Sequence, residues 1–196
     1  MQCLYPSLIQ TPVNGSQILN SLQGLSVDPY VIPVRCRKCL PCKVAQKDDW
    51  TLRCLLDQAV AITSSFWTLT YKDEALPSTH QEAKLHLRNF FAALRAREKT
   101  FGNPNRISYF GCLEYGGKFG RPHFHLIIFN LIQHYHEITV YRKDLPRPRY
   151  TIPIWPHGHV DLGSVNGASI NYVAGYLTDF SNPELPATRI STVKPA

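Results

Sequence analysis

Apolar side chains recur along this chain in two rhythms, and the switches between them predict its elements. Between Lys43 and Ile62, Val44, Leu52, Leu55, Leu56 and Ala59 supply an apolar stripe at helical spacing, which predicts a first helix with that stripe facing inward. The aromatic and β-branched run Phe66–Tyr71 (FWTLTY) predicts a buried strand. His80–Lys99 returns to the helical rhythm, with Ala83, Leu87, Phe90, Phe91 and Leu94 on one side and Lys84, Arg88, Arg95 and Arg97 largely opposite. Arg106–Glu114 and His123–Phe129 read as two strands, joined by the Gly-rich connector Tyr115–Pro122, which has hairpin length. Gly158–Leu162 reads as a further strand, and Ala168–Asp179 as a last helix, stopped by Pro183 and Pro186. Residues 1–35 read as irregular around a weak strand at Tyr30–Val34. The polar, proline-interrupted stretch His134–Pro156 is assigned no element.

The order helix, strand, helix, strand, strand, strand, helix predicts the α+β class, with a central antiparallel sheet and flanking helices. A length of 196 residues allows one well-buried core with a small appended module. The expected division is an N-terminal Cys-rich segment over 1–45 and a main domain over 46–196.

Composition narrows the classes of function. A chain that is 44% hydrophobic and 18% charged is globular, not disordered. No apolar run is long enough to span a bilayer, so no membrane role is expected. The start MQCLYPSLIQ lacks a basic segment followed by an apolar run, so the expected location is the cytoplasm. A formal charge of +7 favours a polyanionic partner, nucleic acid first.

The segment RPHFHLIIF carries the first candidate chemistry. His123 and His125 flank Phe124, so in a strand both imidazoles leave one face of the sheet. Glu114 ends the preceding strand, and antiparallel pairing would set its carboxylate against the His123–His125 face. Two imidazoles and one carboxylate suit a divalent cation that keeps positions open for a phosphate oxygen. Two further pairs, His134/His136 and His157/His159, have no carboxylate ending a paired strand, although Asp161 near His159 leaves that pair as a rival.

Tyr172 and Tyr176 stand one helical turn apart, and two phenols on one face can serve one reaction centre in turn. Gly175 beside Tyr176 removes bulk where a DNA backbone would approach. The cluster Cys36-x-x-Cys39-x-x-Cys42 supplies three ligands of a tetrahedral zinc site, with Cys3 as the chosen fourth. Free thiols in a local turn are the other reading of that cluster. Cys54 and Cys112 fall inside a helix and a strand and are expected to pack.

Together these segments resemble the rolling-circle replication initiators of microviruses, and most of all their gokushovirus-like branch. Family segments of the type CxxCxxC, GEYG…RPHxH and YVAxY are echoed by CRKCLPCKVAQKDDWTLR, CLEYGGKFGRPHFH and YVAGY. The resemblance implies an HUH endonuclease with an RRM-like, palm-like antiparallel sheet. It implies Mg²⁺ or Mn²⁺ on Glu114, His123 and His125, and alternating attack by Tyr172 and Tyr176. That attack makes 5′-phosphotyrosine links and frees 3′-hydroxyls. The implied partners are single-stranded DNA at a replication origin and host replication proteins. Members often carry Lys between and just beyond the tyrosines, where this chain has Gly175, Thr178 and Asp179. Lys118 or Arg121 in the connector would then meet the phosphate, and Trp67, Tyr71, Tyr115 and Phe119 are candidates to stack on bases. The chain also stops earlier than the resemblance leads one to expect. The competing readings are a non-catalytic RRM-like binder of single strands and a metal-dependent hydrolase that activates water.

Overall fold

In the computed structural model of the protein, the described residues are 3–10, 31–116, 120–132, 139–143, 148–176, 178 and 188–191. Chain contacts group them into two compact units, Met1–Gln46 and Lys47–Ala196. In the first unit, strands β1 (Ser7–Gln10) and β2 (Val31–Val34) pair antiparallel, with Ser7 opposite Val34 and Gln10 opposite Val31. Helix α1 (Leu40–Val60) starts in this unit and ends in the second.

The second unit is built on an antiparallel sheet of seven strands in the order β6-β7-β8-β3-β5-β4-β9. These are β3 (Ser64–Thr70), β4 (Ser108–Tyr115), β5 (Pro122–Phe129), β6 (Thr139–Arg142), β7 (Arg149–Ile152), β8 (Trp155–Ser164) and β9 (Thr188–Ser191). Helices α2 (His80–Thr100) and α3 (Gly167–Gly175) complete it. This is the α+β class expected: a central antiparallel sheet, flanking helices and a small Cys-rich N-terminal part.

Strand β5 explains why the run FHLIIF is apolar at nearly every position. Both of its faces are covered, so alternation gives way to a continuous hydrophobic string. On one face Trp67, Leu69, Leu113, Phe124, Leu126 and Ile128 pack with Leu87, Phe90, Phe91 and Leu94 of α2. On the other, Phe110, Cys112, Ile127 and Phe129 pack with Ile170, Val173 and Ala174 of α3 and with Trp50 and Cys54 of α1. Each fully buried Phe, Leu or Ile contributes about 1.5–3 kcal/mol of transfer free energy. Helix α2 opens on a Thr79 side chain that accepts the Glu82 N–H at 3.1 Å and closes with Arg97 and Lys99 against its negative end. Gly111 lets β4 lie close on β5, because a Cβ there would sit 2.3 Å from the His125 carbonyl oxygen.

The structure corrects the expected inner stripe of α1. Leu52, Leu55 and Leu56 are 58%, 39% and 56% exposed, whereas Trp50 and Cys54 are buried. The Trp50 ring stacks on Phe110 at 5.2 Å, and Cys54, one turn on, is the small residue that lets the helix settle there. One indole and one thiol outcompete three leucines because they match the sheet's relief. Strands β1, β6, β7 and β9 have no counterpart in the sequence pattern. Each has four residues, and β6 and β7 carry register shifts in their ladders. Helix α3 stops at Gly175, short of the expected Asp179, and Thr178 closes it by donating its N–H and hydroxyl to the Gly175 carbonyl.

Candidate active site

The β4–β5 ladder sets Glu114 opposite His123 and Cys112 opposite His125. Alternation then puts Glu114, His123 and His125 on the face that α3 covers. Glu114 Oε2 lies 3.8 Å from His123 Nδ1 and 3.4 Å from His125 Nε2, so one carboxylate oxygen stands between the two imidazoles. The two rings are 6.4 Å apart between centroids, leaving a gap wider than a hydrogen bond between them. His123 Nδ1 is buried and has no hydrogen-bond partner. Burial, ahead of every other influence, also lowers the His123 pKa, which keeps its imidazole neutral and its lone pair available. An orphaned buried ring nitrogen, a second imidazole and a carboxylate are the ligand types that a divalent cation takes.

Helix α3 brings both tyrosines over this set. Its start is fixed by a reciprocal capping box between Asn166 and Ser169. The Tyr172 and Tyr176 hydroxyls lie 2.6 Å apart, and Tyr176 Oη is 3.4 Å from His125 Nε2. The Tyr176 ring stacks on His125 at 5.1 Å with an interplanar angle of 7°. Tyr172 meets His125 edge-on and is 52% exposed. Burial first, then the hydrogen bond to Tyr172, pushes the Tyr176 phenol well above its ordinary pKa.

Thr68 is a site residue that sequence reasoning missed. It pairs with His125 across β3–β5, and its hydroxyl lies 3.3 Å from His125 Nδ1. A partner on Nδ1 holds the ring in the orientation that turns Nε2 toward Glu114 and Tyr176. The available signal was the position of Thr68 in FWTLTY, two residues from Phe66, whose ring stacks on His125 at 6.3 Å.

The other candidates separate. Arg121 forms an ion pair with the exposed Asp73. Lys118, Phe119, His134, His136 and Asp179 lie outside the described residues. Trp67 and Tyr71 are buried in the core and offer no face to a base, while the Tyr115 hydroxyl is held 2.8 Å from His80 Nδ1. His157 stacks on His86 at 3.8 Å, and Asp161 lies 3.9 Å from Arg149, so the rival pair does not converge on one point.

The first unit holds the second centre. The ligand atoms of Cys3, Cys36, Cys39 and Cys42 all lie within 4.8 Å of one another, a group that can hold a metal ion. Arg37 has a φ of 61°, and that left-handed step aims the Lys38 and Cys39 N–H groups at Cys36 Sγ, 3.5 and 3.4 Å away. These donors, Cys39 first, lower the Cys36 thiol to a pKa of about 6, whereas burial raises Cys42 to about 12. Cys54 and Cys112 are buried, as expected, with their thiols pushed up by burial.

An antiparallel sheet with paired histidines, a carboxylate and two adjoining phenols on one face is the frame; comparison supplies the family. Residues 64–181 match the family of replication-associated proteins of the ORF2 type, and the chain belongs to it. It is 29% identical over 185 residues to replication-associated protein VP4 of Bdellovibrio phage phiMH2K, covering 90% of this chain and 57% of that protein. It is 31% identical over 156 residues to replication-associated protein ORF2 of Spiroplasma virus 4, covering 74% of this chain and 48% of the relative. Replication-associated protein ORF4 of Chlamydia phage 1 is 28% identical over 158 residues, 77% of this chain and 39% of its own. The chain thus spans about half the length of these relatives, and the resemblance to phage replication-associated proteins holds. No solved structure matches. Among the described residues, no helix is long and apolar enough to cross a membrane.

Proposed function

We propose that this chain nicks and rejoins single-stranded DNA at a replication origin, as a two-tyrosine endonuclease and strand transferase of the HUH type. The observation that carries this reading is the Tyr176 hydroxyl, 3.4 Å from His125 Nε2 and 2.6 Å from Tyr172. A half-buried phenol whose hydroxyl is turned to an imidazole and a second phenol is placed for chemistry as well as for packing. Mg²⁺ or Mn²⁺ on Glu114, His123 and His125 would polarise a phosphate oxygen and lower the cost of ionising the phenol.

The chain's own residues do the rest. Tyr176 Oη, or Tyr172 Oη in its place, attacks phosphorus, the bond to the 3′ oxygen breaks, and the 5′ phosphate stays on that tyrosine. From Tyr176 the phenolic proton leaves along the Tyr172 hydroxyl to solvent, and the departing 3′ oxygen takes a proton from solvent to become a hydroxyl. The second phenol, one turn away over the same histidines, then attacks a second phosphate and frees a second 3′-hydroxyl, which attacks the first phosphotyrosine, joins the strand and releases the first phenol to take back a proton. Thr68 holds His125 in register throughout. Arg121 and Lys118 would meet phosphate, 1–45 would act as a zinc-bound module on Cys3, Cys36, Cys39 and Cys42, and the work would be done in the bacterial host cytoplasm beside host replication proteins.

The test is incubation with pooled single-stranded oligonucleotides and Mn²⁺, followed by a denaturing gel. A covalent protein–DNA adduct is expected. Free cleaved ends without an adduct would indicate a hydrolase, and intact DNA a binder.

A further inference from the structure

Beside the candidate centre, on the side away from Glu114, lies a cavity of about 650 Å³. Its near wall is His123, and it runs past Thr70 of β3 to β8 and β7. The row Glu114–His123–Thr70 is set by the sheet register, and Thr70 continues it to β8 by donating its hydroxyl to the His159 carbonyl at 3.0 Å. The cavity therefore lies along a line that crosses the strands at the level of the donor set. Strands in a sheet are ~4.8 Å apart, so β8 is roughly two spacings, ~10 Å, from His123. A DNA strand whose scissile phosphate sat at the donor set would reach that far with its adjoining nucleotides.

The lining has the chemistry of a nucleotide. Lys72, Arg121 and Arg149 bring three cations to it, against the two carboxylates of Asp73 and Glu74. Arg121 is paired with Asp73, which is 79% exposed, and Arg149 with Asp161 at 3.9 Å, while Lys72 projects from the exposed surface. An exposed pair such as Arg121–Asp73 contributes ~0–1 kcal/mol, so a phosphate can replace that carboxylate at little cost, while Arg149 meets the half-buried Asp161 through Nε at 3.9 Å, longer than a hydrogen bond. Ile152 and Trp155, both part of the core, back the cavity with apolar surface, and the volume is within the ~300–1,000 Å³ range of small-molecule sites.

We infer that this cavity is a binding subsite for a nucleotide next to the scissile phosphate, with Lys72 and Arg149 on its phosphate. The inference rests on the function proposed above and extends it to residues outside the HUH and tyrosine motifs. A positively charged groove beside a reacting centre holds the strand without reading its sequence, so the subsite serves any base.

The experiment is fluorescence anisotropy of labelled random-sequence single-stranded oligonucleotides, with no divalent cation added, across a salt series. Lys72→Gln and Arg149→Gln are each expected to weaken binding about five- to tenfold near 0.1 M salt. Each is also expected to flatten the slope of log K against log salt by ~0.7, the signature of one lost contact to single-strand phosphate. Arg88→Gln, an exposed change of equal charge on α2, should leave both unchanged. If Lys72→Gln and Arg149→Gln behave like Arg88→Gln, the subsite is wrong, and so is it if the wild type binds no single strand. Adduct formation with Mn²⁺ is scored separately. An adduct with unaltered slopes overturns the subsite and keeps the nuclease, whereas altered slopes without an adduct keep the subsite and overturn the nuclease.

Discussion

The cysteine centre and the histidine–tyrosine centre solve the problem of gathering ligands in opposite ways. Three of the four sulfurs come from seven consecutive residues, and backbone N–H groups are already aimed at Cys36 before any metal enters. All four ligand atoms lie within 4.8 Å of each other, the number of ligands that a closed tetrahedral zinc site takes. The other centre draws Glu114, His123 and His125 from two strands and adds phenols from a helix some fifty residues on, with its imidazoles 6.4 Å apart. On the function proposed above, the closed, local set stabilises and the open, assembled one reacts. The folding of the whole sheet is what the second arrangement depends on.

The sharpest way to break this contrast is the double change Tyr172→Phe with Tyr176→Phe. Adduct formation should fall by on the order of 10³-fold or more, while zinc content stays unchanged. Each single variant should keep some first cleavage but fail to rejoin strands. An adduct formed by the double variant at the wild-type rate would move the nucleophile elsewhere.

Next in size is metal retention. Purified protein is expected to carry close to one equivalent of zinc, lost in Cys39→Ser. Dialysis against a moderate chelator should strip added Mn²⁺ and leave the zinc. Simultaneous loss of both would show the cysteine group to be no more closed than the histidine one.

A smaller effect isolates positioning. Thr68→Val removes the hydroxyl at His125 Nδ1 without changing shape and should weaken Mn²⁺ affinity ~10–100-fold by electron paramagnetic resonance titration, with Thr68→Ser restoring it. Equal affinity in Thr68→Val would reduce Thr68 to a packing residue. The smallest effect concerns Arg37, held at a φ of 61°. Arg37→Gly should keep its zinc and unfold within about 1 kcal/mol of wild type, and Arg37→Val should lose about 1–2 kcal/mol in a denaturant melt.

Legibility followed the same divide. The Glu114–His123–His125 arrangement could be read because hairpin pairing is a local rule acting on alternating residues, and the α2 face because its stripe is unbroken. The face of α1 could not. A leucine stripe and an isolated Trp50–Cys54 pair are equally helical, and only the shape of β4 decides between them. Strands β6 and β7 were hidden because four polar-flanked residues at a sheet margin carry too little periodicity. Thr68 was invisible as a site residue, since its role exists only through pairing with a strand more than fifty positions away.

The end of α3 gives the two tyrosines different mechanical standing. Tyr172 sits in the body of the helix, while Tyr176 is its C-cap, just past the last helical residue. Load on a strand joined to Tyr172 would shear several backbone hydrogen bonds at once. Load on a strand joined to Tyr176 would peel the helix from its tip, one bond at a time, beginning with the clasp between Thr178 and Gly175. Peeling fails at lower force than shearing, so the two covalent links of the proposed mechanism would differ in how much tension on the DNA strand they bear. Single-molecule pulling on adducts of the two single-tyrosine variants would read that difference directly, and equal rupture forces would remove it.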